Sequence, residues 1–302
     1  MDDVFLQQLV NGLTIGMIYA LIALGYTIVY GIAQLINFAH GEIFMVGAYL
    51  GLFFYGIAAL FSPHIPPVLW ITMIFFLSMA GTALLGVIIE RFAYRPLREA
   101  PRLAPLITAI GVSFLLQNVV MLIAGPSDKS FPQIIPIHRY SFSQVIFTNL
   151  QILITVVSVL LMAVLHLFIK YTKTGKAMRA LADDLDAARL MGINTDRVIS
   201  VAFLVGSALA GAGGLMFGMY YNTINFHDGY LAGLKAFTAA VLGGIGNIPG
   251  AMVGGVLIGI LEGLGAGYIS SEWKNVFAFF VLILILLFRP SGLLGSRVVK
   301  KV

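Results

Sequence analysis

Six long stretches of the chain carry no Asp, Glu, Lys or Arg: Val4 to Gly41, Ile43 to Ile89, Leu103 to Ser127, Tyr140 to Ile169, Val198 to His227 and Ala236 to Leu261. Each can hold at least one helix of about 20 residues, the length that crosses a hydrocarbon core of roughly 30 Å. They are too long for the roughly ten-residue alternating strands of a membrane barrel, and backbone groups in lipid must be satisfied within the segment. Breaking the stretches at turn residues predicts helices over Leu9–Tyr30, Gly41–Phe61, Pro67–Ile89, Ala104–Ala124, Asn149–Ile169, Val198–Tyr221, a glycine-broken region Lys235–Tyr268, and Trp273–Phe288. The expected fold class is all-α: a polytopic transmembrane helical bundle of about eight hydrophobic segments, forming a single transmembrane domain over residues 1–302.

Composition agrees. The chain is 60% apolar and 10% charged, with a mean hydropathy of +0.98, against about 45–50% and about 25% in soluble domains. Cysteine is absent, which removes disulfides, thiol nucleophiles and thiolate metal sites. The placement of charge is more informative than its total. Of 18 Lys and Arg, four lie in Arg91–Arg102, six in Lys170–Arg197 and four in Arg289–Lys301. The positive-inside rule makes all three clusters cytoplasmic. Asp2 and Asp3 precede the first apolar run with no basic residue, so an uncleaved first span with an external N-terminus is expected. For the C-terminus to end in the cytoplasm, Lys235–Tyr268 must enter and leave on one side. It would do so as a re-entrant hairpin or two short passes turning at Gly246-Asn247-Ile248-Pro249-Gly250, with any non-helical backbone buried in protein or lining a cavity.

Small residues recur at every fourth position in Gly206, Ala210, Gly214 and Gly218, and again in Gly255, Gly259, Gly263 and Gly267. Such rows let helix backbones approach closely, so packing within one bundle is the first expectation. Two segments interrupt the apolar pattern, Asn37 to Glu42 and Gly243 to Gly250, and paired interruptions point to a transport pathway in repeat-built carriers. Asn37, His40, Glu42, Gly246, Asn247 and Glu262 are therefore the candidate pathway residues. For Glu42 and Glu262, structural hydrogen bonding is the competing role. Glu90, beside Arg91, is expected at the interface, and Lys235 and Lys274 are expected to snorkel from segment ends.

The usual enzymatic signatures are missing. Gly175-Lys176 is followed by Ala177, so no phosphate-binding loop exists, and there is no Gly-x-Ser-x-Gly elbow or His-Glu-x-x-His helix. The five histidines are scattered, and no metal site is expected. With no charge relay or arginine-rich helix within the spans, a carrier or channel driven from outside this chain remains.

The largest cytoplasmic segment, about residues 170–197, spaces Met178, Leu181, Leu185, Ala188 and Met191 by three and four, which predicts one amphipathic helix from about Gly175 to Met191. Gly192 would close it, and Asn194, Thr195 or Asp196 would begin the next helix. Asp183, Asp184 and Asp186 would be repelled by anionic lipid, which favours a protein partner. Asp186-Ala187-Ala188-x-x-x-Gly192 resembles the Glu-Ala-Ala-x-x-x-Gly coupling loop of ABC importer permeases, with Asp for Glu and without the downstream Leu-Pro of some importers. The phrase from Ala182 to Ile193 is similar to that of branched-chain amino acid permeases. So are Asn11-Gly12 through Gly25-Tyr26-Thr27, Asn37 through Glu42, Arg95-Pro96-Leu97-Arg98 and Gly243-Gly244-x-Gly246-x-x-x-Gly250. Together these resemble the LivH-type permease subunits of leucine/isoleucine/valine ABC importers over nearly the whole chain.

The resemblance implies a multi-pass subunit of a bacterial-type inner membrane. It implies a second related permease, two cytoplasmic ATPase subunits and an extracytoplasmic substrate-binding protein as partners, in contact with membrane lipid and without nucleic acid. No cofactor would bind this chain, ATP and Mg being used by the ATPases. Asp183, Asp186, Ala187, Ala188, Arg189 and Gly192 would form the coupling loop. Related permeases carry urea, short amides or other amino acids, and an ATPase-independent channel or uniporter is the competing class.

Overall fold

The computed structural model describes residues 2–60, 66–98, 100–101, 103–142 and 145–295. The elements are α1 (Asp2–Ala33), α2 (His40–Leu60), α3 (Pro67–Ile89), α4 (Leu103–Ala124), β1 (Lys129–Ser130), β2 (Arg139–Phe142), β3 (Val145–Thr148) and α5 (Asn149–Tyr171). There follow α6 (Lys173–Asp183), α7 (Leu185–Leu190), α8 (Thr195–Tyr221), β4 (Thr223–Ile224), α9 (Asp228–Gly243), α10 (Ile248–Tyr268) and α11 (Lys274–Phe288). Among the described residues, eight helices are long and apolar enough to cross a membrane. The all-α, polytopic class is as expected.

Backbone proximity holds the centre together. In α1 against α10, a Cβ added to Gly12 would lie 2.7 Å from the Gly259 carbonyl oxygen, and one added to Gly16 would lie 2.9 Å from Val256 Cα. Lipid tails supply no hydrophobic drive for helix association, so close van der Waals contact between bare backbones replaces it. The other small-residue row is used in the same way: a Cβ on Gly206 would meet Gly25 Cα at 3.2 Å, and one on Gly218 the Phe131 ring at 2.8 Å. Every member of the two rows but the exposed Gly267 is therefore buried within this chain.

The helix ends sort into two faces. On one, α3 runs on through a π-helical turn (Glu90–Tyr94) and a 3-10 turn (Arg95–Leu97), where Tyr94 donates to Asn37 Oδ1 at 2.6 Å. Arg95 and Arg98 both bond Asp196 there, and the Leu293 amide donates to the Leu242 carbonyl at 2.8 Å. The described parts of the three basic clusters thus share one face; Arg102, Arg297, Lys300 and Lys301 lie outside the described residues. On the opposite face β1 pairs antiparallel with β4, and β2 with β3. Gln7 exchanges two 2.9 Å hydrogen bonds with the backbone of Ile146 there, tying β3 to the start of α1.

The glycine-broken region is a hairpin of α9 and α10. It begins at Asp228 rather than Lys235, and it turns over Gly244–Asn247, where Gly244 and Gly246 take φ of +102° and +91°. Only glycine adopts such angles without strain. Ile248–Gly250 belongs to the first turn of α10, capped by Asn247, whose Oδ1 accepts from the Gly250 amide at 2.9 Å. Both arms start and finish at the β-hairpin face, while the turn is held at the basic face by a 2.7 Å bond from Asn247 Nδ2 to the Leu294 carbonyl. The region therefore starts and ends on one face of the bundle, and of its two arms only α10 is among the eight helices of membrane-spanning length.

Candidate functional site

The loop between α5 and α8 folds from its own side chains. In place of the single helix expected from Gly175 to Met191, the chain breaks at Asp184. Its Oδ1 accepts the amides of Asp186 and Ala187, both at 2.9 Å, so the carboxylate competes with the helix and caps a new one. At the far end the Ile193 amide bonds the Ala188 carbonyl (3.1 Å) and the Gly192 amide that of Arg189 (3.0 Å). Gly192 is left-handed at φ +81°, which closes α7 in a Schellman motif. Asn194, one of the expected initiators, caps α8 by accepting the Arg197 amide at 3.0 Å.

The two alanines of the loop face opposite ways. Ala188 is 4% exposed while Ala187 and Asp186 face outward. Leu190 and Met191 stand 88% and 82% exposed on the basic face, although the three-and-four spacing had assigned Met191 to the buried side. Asp183 is exposed, and Arg189 reaches the Thr195 hydroxyl at 3.5 Å. The loop therefore presents Asp186, Ala187, Leu190 and Met191 as a small apolar surface with an acidic edge.

Behind it sits an ionic clasp. Arg98 bridges Glu90 at the end of α3 to Asp196 in the first turn of α8, with Arg95 on the second Asp196 oxygen. Glu90, expected at the interface beside Arg91, is 1% exposed and also accepts from the Ser200 hydroxyl at 2.6 Å. Its burial is tolerated because two donors satisfy it. Through Tyr94 the clasp reaches Asn37, whose Oδ1 also takes the Ala39 amide at 3.1 Å and so organises the entry to α2.

Asn37, His40 and Glu42 gather, buried, at that entry. His40 packs edge-on to Tyr26 with ring centroids 4.8 Å apart. Glu42 Oε1 accepts from Ser113 (3.1 Å) and Gln117 (2.7 Å), fastening α4 to α2. Asn37 Nδ2, His40 Nε2 and Glu42 Oε2 have no hydrogen-bond partner among the described residues. Gly246 and Asn247 adjoin the same region, since a Cβ on Gly31 would lie 3.4 Å from Gly246 Cα. Glu262 lies apart from them. It pairs with Lys235 at 2.8 Å and accepts from Tyr19 at 2.9 Å. Lys235, expected to snorkel, is 4% exposed within the bundle. Its partner lies 27 residues away on the other arm of the hairpin, and two opposite charges on the arms of one expected hairpin were the available signal.

Two cavities flank α9. One, of about 270 Å³, lies between α1, α4 and α9 and is walled by Tyr26, Phe38, Ile110, Phe114 and Leu234 with Ser113. The other, of about 200 Å³, includes Tyr19, Tyr221, Asp228, Lys235, Glu262 and Lys274.

A bundle of eight membrane-length helices with two cavities and an exposed loop on its basic face defines a multi-pass membrane protein. Residues 8–286 match the family model described as branched-chain amino acid transport system, permease component, and the chain belongs to that family. It is 49% identical over 302 residues (99% of this chain, 98% of the relative) to the high-affinity branched-chain amino acid transport system permease protein BraD of Pseudomonas aeruginosa. It is 48% identical over 305 residues (99% and 98%) to the corresponding protein LivH of Escherichia coli K12. Similarity extends at 26% over 194 residues (62% and 57%) to the autoinducer 2 import system permease protein LsrC of Photorhabdus luminescens.

Proposed function

We propose that this chain is the membrane-spanning permease subunit of an ATP-driven importer that moves branched-chain amino acids into the cytoplasm. The observation that carries the reading is near-half identity along essentially the whole chain to two permeases of high-affinity branched-chain amino acid transport, against 26% to a permease for another solute. A second related permease, two ATPase subunits and an external binding protein complete the importer. ATP and Mg belong to the ATPases. The basic face is cytoplasmic and the β-hairpin face external, with the N-terminus outside and the C-terminus inside.

In this reading the ATPases seat on Asp186, Ala187, Leu190 and Met191. Their closure displaces α7, and the rigid link from Gly192 to Asn194 passes the displacement to the first turn of α8. Arg98 then carries it to α3, and Tyr94 to the entry of α2, so one input moves several helices between two states. Binding of substrate and ATP biases those states by differential contacts.

The test is uptake of labelled leucine and of urea by proteoliposomes holding the complete complex. ATP-dependent leucine uptake that requires the binding protein is expected. Uptake of urea alone would reassign the substrate, and leucine flux independent of the ATPases would replace the importer with a uniporter.

A further inference from the structure

The charged cavity differs in kind from its neighbour across α9. Among the described residues, none that walls the apolar cavity of about 270 Å³ is charged. The cavity of about 200 Å³ has two cations, Lys235 and Lys274, and two anions, Asp228 and Glu262. At ~30 Å³ per water it holds about six waters, the room of one small amino acid. Transported amino acids are zwitterions, and a zwitterion leaving water needs a partner of each sign at once, since either unpaired charge is costly in a low-dielectric site.

The polar groups there are not all used. Lys235 and Glu262 satisfy each other and Tyr19. Lys274 Nζ lies over the Tyr221 ring, 6.0 Å from its centroid, and pairs with no carboxylate within 4 Å among the described residues. Asp228 spends Oδ2 on the Asn225 amide at 2.7 Å. Asn275 Oδ1, also at this wall, is buried with no hydrogen-bond partner among the described residues. A buried polar atom without a partner is costly, so Asn275 Oδ1 at this wall points to a ligand. Phe217, Leu231 and Ala232 complete an apolar side, and Thr223 of β4 places the mouth at the β-hairpin face.

We propose that this cavity is a transient binding site for the free zwitterionic amino acid: its carboxylate meets Lys274, its ammonium meets Asp228 and Asn275 Oδ1, and its aliphatic chain lies on Phe217 and Leu231. The Lys235–Glu262 pair forms the floor, and exchanging its partners with the substrate's charges opens the way past Tyr19. The proposal rests on the branched-chain amino acid reading above.

The test is photolabelling of the purified importer in nanodiscs with a diazirine analogue of leucine. Label is expected on peptides spanning 217–232 and on the start of α11. Leucine should compete it away, while leucinamide, which lacks the carboxylate, and 4-methylpentanoate, which lacks the ammonium, should not. Lys274→Gln and Asp228→Asn should each lower labelling and ATP-driven leucine uptake about tenfold, the loss of one charge-assisted hydrogen bond, with Lys274→Arg recovering most of both. ATPase subunits should co-purify with every variant. Label confined to other helices, or undiminished in both variants, overturns the site while leaving the importer reading intact. Wild-type proteoliposomes that take up no leucine overturn the importer's substrate and the site with it.

Discussion

Lys235 Nζ and Glu262 Oε1 meet at 2.8 Å across the two arms of one hairpin, and the Tyr19 hydroxyl donates to the second carboxylate oxygen at 2.9 Å. Both charges are desolvated, so each is tolerable only in the presence of the other. Lys235→Met should therefore destabilise the folded protein by about 3–5 kcal/mol, while the double variant Lys235→Met, Glu262→Met should recover most of that loss. Thermal unfolding in detergent reads both. A double-variant loss equal to the sum of the losses in Lys235→Met and Glu262→Met would show that the pair does not act as a unit.

The exposed surface of α7 predicts which substitutions separate docking from folding. Ala187→Trp and Leu190→Glu should abolish co-purification of the ATPase subunits while membrane insertion and thermal stability stay near wild type. Ala188→Trp should lower stability as well, because Ala188 is enclosed. Gly192→Val should cost about 1–3 kcal/mol of local strain from its left-handed backbone alone, since no atom lies within 4 Å of an added Cβ.

The spans, the two glycine rows and the same-side hairpin were legible because each follows from a local pattern: hydropathy over about 20 residues, spacing of four, or a glycine cluster. The break at Asp184 was not, because Met178, Leu181, Leu185 and Ala188 keep helical spacing across it and only the cap geometry interrupts the backbone. The partners of Glu90 and Glu262 were hidden for a different reason. Arg98 reaches Glu90 only because the π and 3-10 turns fold it back, and Lys235 meets Glu262 only across a hairpin. The short strands at Lys129–Ser130 and Thr223–Ile224 pair elements far apart in sequence, which periodicity does not register.

Arg98 holds Glu90 and Asp196 with the two ends of one guanidinium. Arg98→Ala should leave the Glu90 carboxylate with the Ser200 hydroxyl alone, lowering leucine uptake while ATPase subunits still co-purify. Arg98→Lys should restore little, because a single ammonium lacks the planar fork that serves two carboxylates. Wild-type uptake in Arg98→Ala would remove the clasp from the coupling route.

Two glycines make a matched pair. A Cβ on Gly259 would strike the backbone of Gly16, whereas one on Gly111 meets nothing within 4 Å. Gly259→Ala should destabilise by about 1–3 kcal/mol through overpacking. Gly111→Ala, inside α4, should stabilise by up to about 1 kcal/mol through helix propensity. Denaturation midpoints of the two variants in one detergent decide it.

Orientation can be read from the cysteine-free background. Ser141 is exposed on the β-hairpin face and Lys176 is exposed beside α7 on the basic face. Ser141→Cys should react with an impermeant maleimide on intact cells, and Lys176→Cys only after permeabilisation. The reverse pattern would invert the topology.

The seam between α1 and α10 also sets a timetable for biosynthesis. Gly16 meets Gly259, so the first helix made finds its main neighbour only after most of the chain has been translated. At ~5–20 residues per second this is a wait of roughly ten to fifty seconds, during which a strip of bare glycine backbone faces lipid or the insertion machinery. Lys235 and Glu262, by contrast, emerge close together on adjacent arms and can neutralise each other as they enter the bilayer. Closure of the bundle is thus a late, post-insertion event, and a chain truncated before Gly255 would leave α1 without its partner and exposed to membrane quality control.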